Sequence, residues 1–195
     1  LYAYRSAIIY NYAGNGSLAG ETTLINSTVS GNTALSGIGA RLVLNSTLVA
    51  GPHPRVYGDD YDLTTNLVRG DGLIANSLIV NPYPAPSPAP FATAACGGTL
   101  VSGGGNIESP EDTCGLSEPT DLSNVTEAEL NLGPLGDYGG PTRTHGLLQW
   151  SVAIDHVPAS MCVDENGDPL TTDQRGIARP QGAACDAGAF EVQEY

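Results

Sequence analysis

The chain has no lysine: all seven basic residues are arginines, set against 21 acidic residues for a formal charge of −14. Schiff-base and P-loop lysine chemistry are therefore excluded, as is a lysine–asparagine isopeptide cross-link. The acidic balance repels phosphate backbones and anionic bilayers, so nucleic acid and charged membrane surfaces are not expected partners. No run approaches the roughly 20 apolar residues of a transmembrane helix. No convincing apolar pattern of helical period is present either, which argues against a helical architecture. Methionine occurs once, at Met161, and the chain opens on Leu1, so a processed chain or a piece of a longer one is expected. There are four cysteines, none in a C-x-x-C pair, and their spacing does not match a zinc site.

What is present is a short phrase that recurs. It reads Leu24-Ile25-Asn26-Ser27-Thr28-Val29-Ser30, then Leu42-Val43-Leu44-Asn45-Ser46-Thr47-Leu48-Val49, then Leu73-Ile74-Ala75-Asn76-Ser77-Leu78-Ile79-Val80. A fainter copy, Ser6-Ala7-Ile8-Ile9-Tyr10-Asn11, precedes them. The aligned serines, Ser6, Ser27, Ser46 and Ser77, are spaced by 21, 19 and 31 residues. Apolar runs of strand length, punctuated by Gly and Asn turns at a period near twenty, predict one solenoid coil per repeat. Strands buried on both sides and linked without helices predict parallel sheets. The expected fold is all-β, a right-handed parallel β-helix with an irregular, disulfide-bridged C-terminal cap.

Asn26, Asn45 and Asn76 fall at one point of successive repeats, where stacking predicts an asparagine ladder bonded side chain to side chain. The alternative is glycosylation, since Asn15, Asn26, Asn45 and Asn124 each begin an N-x-S/T triplet. Residues 1–95 are read as the coils. They include an insertion at 51–72 that carries Asp59, Asp60 and Asp62, and a stiff Pro-rich connector at 81–91. Residues 96–195 are read as a last degenerate coil, around Val101 to Ile107, and a capping region. Thr126 to Leu130 is read as one helical turn. The cysteines are expected to pair locally, Cys96 with Cys114 and Cys162 with Cys185, stapling loop-rich segments and implying an oxidising, extracellular or cell-surface location. The alternative is four reduced thiols.

The C-terminal half carries ordered segments: Leu132-Gly133-Pro134-Leu135-Gly136-Asp137-Tyr138-Gly139-Gly140-Pro141-Thr142, Thr144-His145-Gly146-Leu147-Leu148, Ser151-Val152-Ala153-Ile154-Asp155, Thr172-Asp173-Gln174-Arg175-Gly176, Arg179-Pro180-Gln181-Gly182 and Cys185-Asp186-Ala187-Gly188-Ala189-Phe190-Glu191. In this order they resemble the choice-of-anchor Q domain family of bacterial surface proteins, and the phrase at 26–34 resembles the β-helix repeats upstream in those proteins. The resemblance implies a right-handed parallel β-helix on an exported bacterial protein held at the envelope by interchangeable sorting tails. It carries over no catalytic residue.

Catalytic constellations are thin. Asp59-Asp60, with His53 upstream, are the only adjacent aspartates that could serve a glycosidase. His145, Asp155 and Ser151 suggest a triad, but no G-x-S-x-G supports one. Asp173, Arg175, Arg179 and Glu191 read as a polar network that fixes the cap. Asp164, Asn166 and Asp168 offer alternating oxygens for calcium, though Pro169 stands where an EF-hand has glycine; no other cofactor is expected. Tyr2 and Tyr4, then Tyr10 and Tyr12, alternate along the first strands and mark a possible assembly edge. The expected function is a non-enzymatic structural or adhesive surface protein, binding glycans or proteins through a face of Tyr, Asn, Ser and Thr. The alternatives are a filament subunit stacked end to end on itself and a carbohydrate-active enzyme.

Overall fold

The computed structural model describes residues 1–9, 12–13, 21–34, 38–49, 67–81 and 94–193. Short strands dominate: β1 (Tyr2–Tyr4), β2 (Ala7–Ile9), β3 (Tyr12–Ala13), β4 (Thr22–Ile25), β5 (Thr28–Ser30), β6 (Thr33–Ala34), β7 (Ile38–Leu44) and β8 (Thr47–Val49). Then come β9 (Val68–Arg69), β10 (Leu73–Ala75), β11 (Leu78–Val80), β12 (Cys96–Gly97), β13 (Val101–Ser102) and β14 (Ile107–Ser109). The only regular α-helix among the described residues is one turn, α1 (Glu127–Leu130), closed by a capping box between Thr126 and Glu129. It is followed by β15 (Leu132–Gly136) and β16 (Thr144–Leu147), an antiparallel pair.

The chain passes repeatedly between two main parallel sheets, and β3 and β6 form a separate parallel pair. The first runs β1-β4-β7-β10-β13, with β9 and β12 attached through β7; the second runs β2-β5-β8-β11-β14. Three of the five crossings from first to second sheet take two residues, the Asn-Ser of the repeated phrase; β1 to β2 takes Arg5-Ser6, and β13 to β14 takes the four residues 103–106. Asn26, Asn45 and Asn76 adopt the left-handed conformation, at φ 48°, 49° and 52°. Asparagine tolerates this region better than other side chains, and it bends the strand from one sheet into the next. Arg5 holds the same place in the first repeat and Gly105 in the last.

The serine that follows carries the stacking. The backbone N–H of Ser6 donates to Ser27 Oγ at 3.2 Å, that of Ser27 to Ser46 Oγ at 3.2 Å, and that of Ser46 to Ser77 Oγ at 3.1 Å. Ser77 N–H then donates to Asn106 Oδ1 at 3.1 Å, so an asparagine ends the series. Each serine hydroxyl in turn donates to the carbonyl two residues back. The expected hydrogen-bonded asparagine ladder is thus a serine ladder, because the asparagine amides are spent on the C-terminal region rather than on one another. The three asparagine amides reach the C-terminal region instead, donating to Thr172 O at 2.8 Å, Val163 O at 3.2 Å and Met161 O at 2.6 Å. Asn26 and Asn45 are fully buried, which excludes glycans there in the folded chain.

Ladder register aligns the side chains in columns. Leu24, Val43 and Ile74 on the first sheet and Val29, Leu48 and Ile79 on the second belong to one core. The Cys96–Cys114 disulfide joins that core. Arg41 bulges out of β7, and a Cβ on Gly72 in the next repeat would lie 2.5 Å from Ala40 O, so glycine is what lets the backbones pass.

The degenerate repeat is present, as β13 pairs with β10 and β14 with β11. Beyond it the chain does two things. Leu122 bridges to Ile107 while Cys114 and Leu116 enter the first core, closing the end of the stack. Residues 126–193 do not sit on that end, as an end cap would. They lie along the outward side of the second sheet, where Leu78, Val80 and Ile107 form a second core with Leu130, Leu147, Val157, Phe190 and the Cys162–Cys185 disulfide. The reason is exposed apolar surface: the second sheet presents apolar residues on both sides, and an end cap would leave one side wet.

Ser46→Ala removes the acceptor of a buried backbone N–H and should cost about 1–3 kcal/mol. Ser6→Ala, at the outer end of the ladder, should cost far less. Urea unfolding of both variants checks this; equal losses would refute the ladder's role.

Candidate binding surface

The two sheets differ in what covers them. Every residue of β5, β11 and β14 is buried. The first sheet keeps one open column on its outward side: Tyr2, Thr23, Leu42, Leu73 and Val101, aligned residue on residue. Tyr2 and Val101 are 59% and 58% exposed and Leu73 is 37% exposed, a degree of apolar exposure found nowhere on the second sheet. At the parallel-strand spacing the column spans about 19 Å. Leu1 and Tyr4 extend it at one end, and an exposed ion pair, Arg41 to Glu21 at 3.7 Å, flanks it. The adjacent outward column, Ile25, Leu44 and Ala75, is buried. The expected polar face of Asn, Ser and Thr is therefore internal, since Asn26, Ser27, Thr28, Ser30, Asn45, Ser46, Thr47, Asn76 and Ser77 are all buried.

Of the assembly-edge tyrosines, Tyr2 and Tyr4 lie on this surface. The Tyr2 hydroxyl donates to Glu165 at 2.9 Å, and that bond raises its pKa above the ordinary value of 10.0. Tyr10 lies outside the described residues, as do His53, Asp59, Asp60, Asp62, Asn15 and the Pro-rich run at 82–90. Tyr12 backbone pairs with Thr33.

The joint between the sheets and the C-terminal region holds the predicted network. Asp173 accepts from the backbone N–H groups of Arg175, Ile177 and Glu191 and pairs with the Arg175 guanidinium at 2.8 Å. Arg175 also lies 3.6 Å over the Phe190 ring, which meets Tyr138 edge-on. Arg179 is buried, donates to Gly188 O at 2.7 Å, and sits 3.3 Å from Glu191. Burial pushes Glu191 up to about 7 against the pull of Arg179. Burial likewise raises Asp186, a member the sequence reading missed, whose carboxylate accepts from Asp155 and Val192 N–H. All four predicted residues come together here, in structural rather than chemical roles, because nothing in the cluster faces solvent.

The suggested triad is not assembled. Ser151 donates to Leu130 O, and Asp155 accepts from Ala184 N–H. His145 meets Ser30 instead, Nε2 to Oγ at 2.8 Å, with Nδ1 2.8 Å from Gly133 O. A carbonyl only accepts, so Nδ1 carries the proton and the serine hydroxyl donates to Nε2. This resembles a hydroxyl–base–orienter array. Yet Ser30 and His145 are both buried, and a neutral carbonyl cannot steady an imidazolium as a carboxylate would. The pair pins the joint together with Thr28, Thr144 and Gln174. At the calcium candidate, Asp164 Oδ1 accepts from Asn166 and Asp168 N–H at 2.8 and 3.0 Å, so the carboxylate closes its own turn. Among the described residues no three His, Cys, Asp or Glu side chains gather as a metal site.

Arg179→Met leaves Glu191 and Asp186 buried without their counter-charge and should cost about 3–5 kcal/mol in denaturant unfolding. A second expectation concerns acid. Burial holds His145 below its ordinary 6.5, so the unfolded chain binds the proton more readily than the folded one. Its contribution is present above pH 6.5 and is lost as pH falls below it. Glu191 runs the other way: its contribution is full below 4.5 and is lost as pH rises through about 7. His145→Gln should therefore make the urea midpoint fall less, or rise more, between pH 7.5 and 5.5 than that of the wild type. His156, also lowered by burial, acts in the same sense, whereas Glu191, Asp186 and Glu108, all raised by burial, act in the opposite one. An unchanged difference between the two pH values would remove His145 as a cause.

Comparison with protein-family models, with curated proteins and with solved structures finds no match to this chain.

Proposed function

We propose that the two parallel sheets are faces of a right-handed parallel β-helix of the choice-of-anchor Q type, and that the chain is a non-enzymatic structural or adhesive protein of the cell exterior. The repeated passage from the first sheet to the second, the left-handed corners and the serine ladder support the helical path. The two disulfides support an oxidising location. No helix among the described residues is long and apolar enough to cross a membrane. The observation that carries the functional reading is the uncovered column on the first sheet. The second sheet is covered on its inward side by the core it shares with the first sheet and on its outward side by the chain's own C-terminal region, while the first sheet keeps an ordered apolar and aromatic strip. Strips of this kind are surfaces for partners.

We infer, as a second reading, self-assembly by strand pairing along β1 and β2. No described strand lies outside them, and Ser6 Oγ receives no N–H from a further repeat, unlike the serines behind it. The opposite end is covered by residues 113–122, so pairing through this edge would link two copies rather than a long fibre.

Leu73→Glu with Val101→Glu places charge on the strip without touching either core. The double variant should keep its unfolding midpoint and lose, by tenfold or more, retention on immobilised cell-envelope material that the wild type binds. Equal retention would remove the strip as the contact surface. Light scattering across a concentration series tests the second reading: a species of twice the monomer mass supports it, and monomers at every concentration reject it.

A further inference from the structure

The turn after β16 carries a feature that neither core nor joint explains. Ser151 N–H donates to Leu148 O at 3.1 Å, which closes a four-residue turn with Gln149 and Trp150 at its centre. Trp150 occupies the third position with φ 73°, where a turn of this kind ordinarily has glycine. It is the only tryptophan in the chain, and it is 83% exposed. A bulky side chain in left-handed backbone is strained, and exposing an indole forgoes its burial, so the position is costly on both counts. Observed strain of this sort points to function.

The turn is also rigid. Leu148 N–H donates to Asn131 O at 3.1 Å, Val152 N–H to Glu129 O at 3.0 Å, and the Asn131 amide to Gln149 O at 2.8 Å. The Ser151 hydroxyl is tied to Leu130 O and accepts from Ala153 N–H. The indole is thus held out on a fixed platform, and little ordering entropy remains to be lost on binding.

We propose that the Trp150 turn is a glycan-binding site that stacks a pyranose ring of an uncharged polysaccharide. Three observations select this occupant. The apolar patch is limited to Trp150, Leu148 and Val152 on a projecting turn. That is far below the roughly 1,000 Å² and 20–30 residues a side of a stable protein interface, yet it matches the footprint of one sugar ring. The indole face is electron-rich and attracts the C–H face of a pyranose, while the indole N–H and the exposed Gln149 side chain supply hydrogen bonds for ring hydroxyls. Glu127 and Glu129, exposed on the adjoining helical turn, repel uronic acids and other anionic sugars, as does the net charge. The site is separate from the strip on the first sheet and does not depend on it.

The single tryptophan makes the test direct. The wild-type chain is titrated with uncharged glucan, mannan and N-acetylglucosamine oligosaccharides, with oligogalacturonate, and with phosphatidylcholine vesicles, while indole emission and calorimetric heat are followed. At least one uncharged oligosaccharide should shift the emission, and oligogalacturonate should not. Trp150→Gly fits the turn, so it should fold with an unfolding midpoint equal to or above that of the wild type while losing calorimetric affinity at least tenfold. Trp150→Tyr should retain part of it. The proposal is overturned if no oligosaccharide binds, if Trp150→Gly binds as well as the wild type, or if only the vesicles shift the emission. Sugar binding that survives Trp150→Gly but fails in the Leu73→Glu, Val101→Glu variant would assign it to the strip instead.

Discussion

Everything in the first half of the chain depends on one dipeptide. Asparagine in the left-handed region turns the backbone through the corner, and the following serine offers its hydroxyl to the N–H of the preceding repeat. The first sets where a strand leaves one sheet for the other. The second sets which residues of successive repeats lie side by side. With register fixed at the corner, Leu24, Val43 and Ile74 must stack, and so must Val29, Leu48 and Ile79. A slip of one residue would turn each column inside out. The same corner points the asparagine amides outward, and the C-terminal region lays its carbonyls against them.

That second use of the corner explains why the C-terminal half needs no regular structure of its own. Its carbonyls at Met161, Val163 and Thr172 follow the row of amides, so the stack serves as a template for an irregular chain. Apolar contact with Leu78, Val80 and Ile107 supplies the driving force, and the ionic cluster fixes the path. Arg179, Glu191, Asp186 and Asp173 are costly to bury, and their net effect is to make one path better satisfied than its competitors. The cluster trades charge solvation for uniqueness, in a segment that turns and irregular backbone dominate.

Local features were legible in the sequence, and long-range ones were not. The repeated phrase announces parallel strands because it is written in adjacent residues, and Thr126 with Glu129 announces a capped turn for the same reason. The ladder was assigned to asparagine because asparagine recurs. The carbonyls of the C-terminal region that take its amide are not visible in composition. The cap network was traceable from TDQRG, Arg179 and Glu191, whereas nothing in the residues around Asp186 distinguishes it from a surface aspartate. His145 was visible as a candidate, but its partner Ser30 lies 115 residues away, across a docking that no pattern predicts. Trp150 carried a signal that went unused: a lone tryptophan next to Gln149 and Ser151, in a stretch otherwise suited to a turn.

The two ends of the stack are built unlike one another, and the difference rests on one carboxylate. Along the inner column of the second sheet the residues run Ile8, Val29, Leu48, Ile79 and then Glu108. An aliphatic residue at the last place would extend the apolar cross-section and invite another strand. Glu108 instead is fully buried and accepts from Thr113 N–H at 2.8 Å, the Thr113 hydroxyl at 2.6 Å and Cys114 N–H at 3.0 Å. Burial raises its pKa, and these three bonds oppose that rise. The loop they hold is the one that the Cys96–Cys114 disulfide draws across the core. A polar tie and a covalent tie therefore close the same end, while the end at Ile8 and Ser6 keeps the ladder's unused acceptor. The chain's own fold thereby blocks strand pairing beyond β14, so the stack terminates where Glu108 replaces an aliphatic residue.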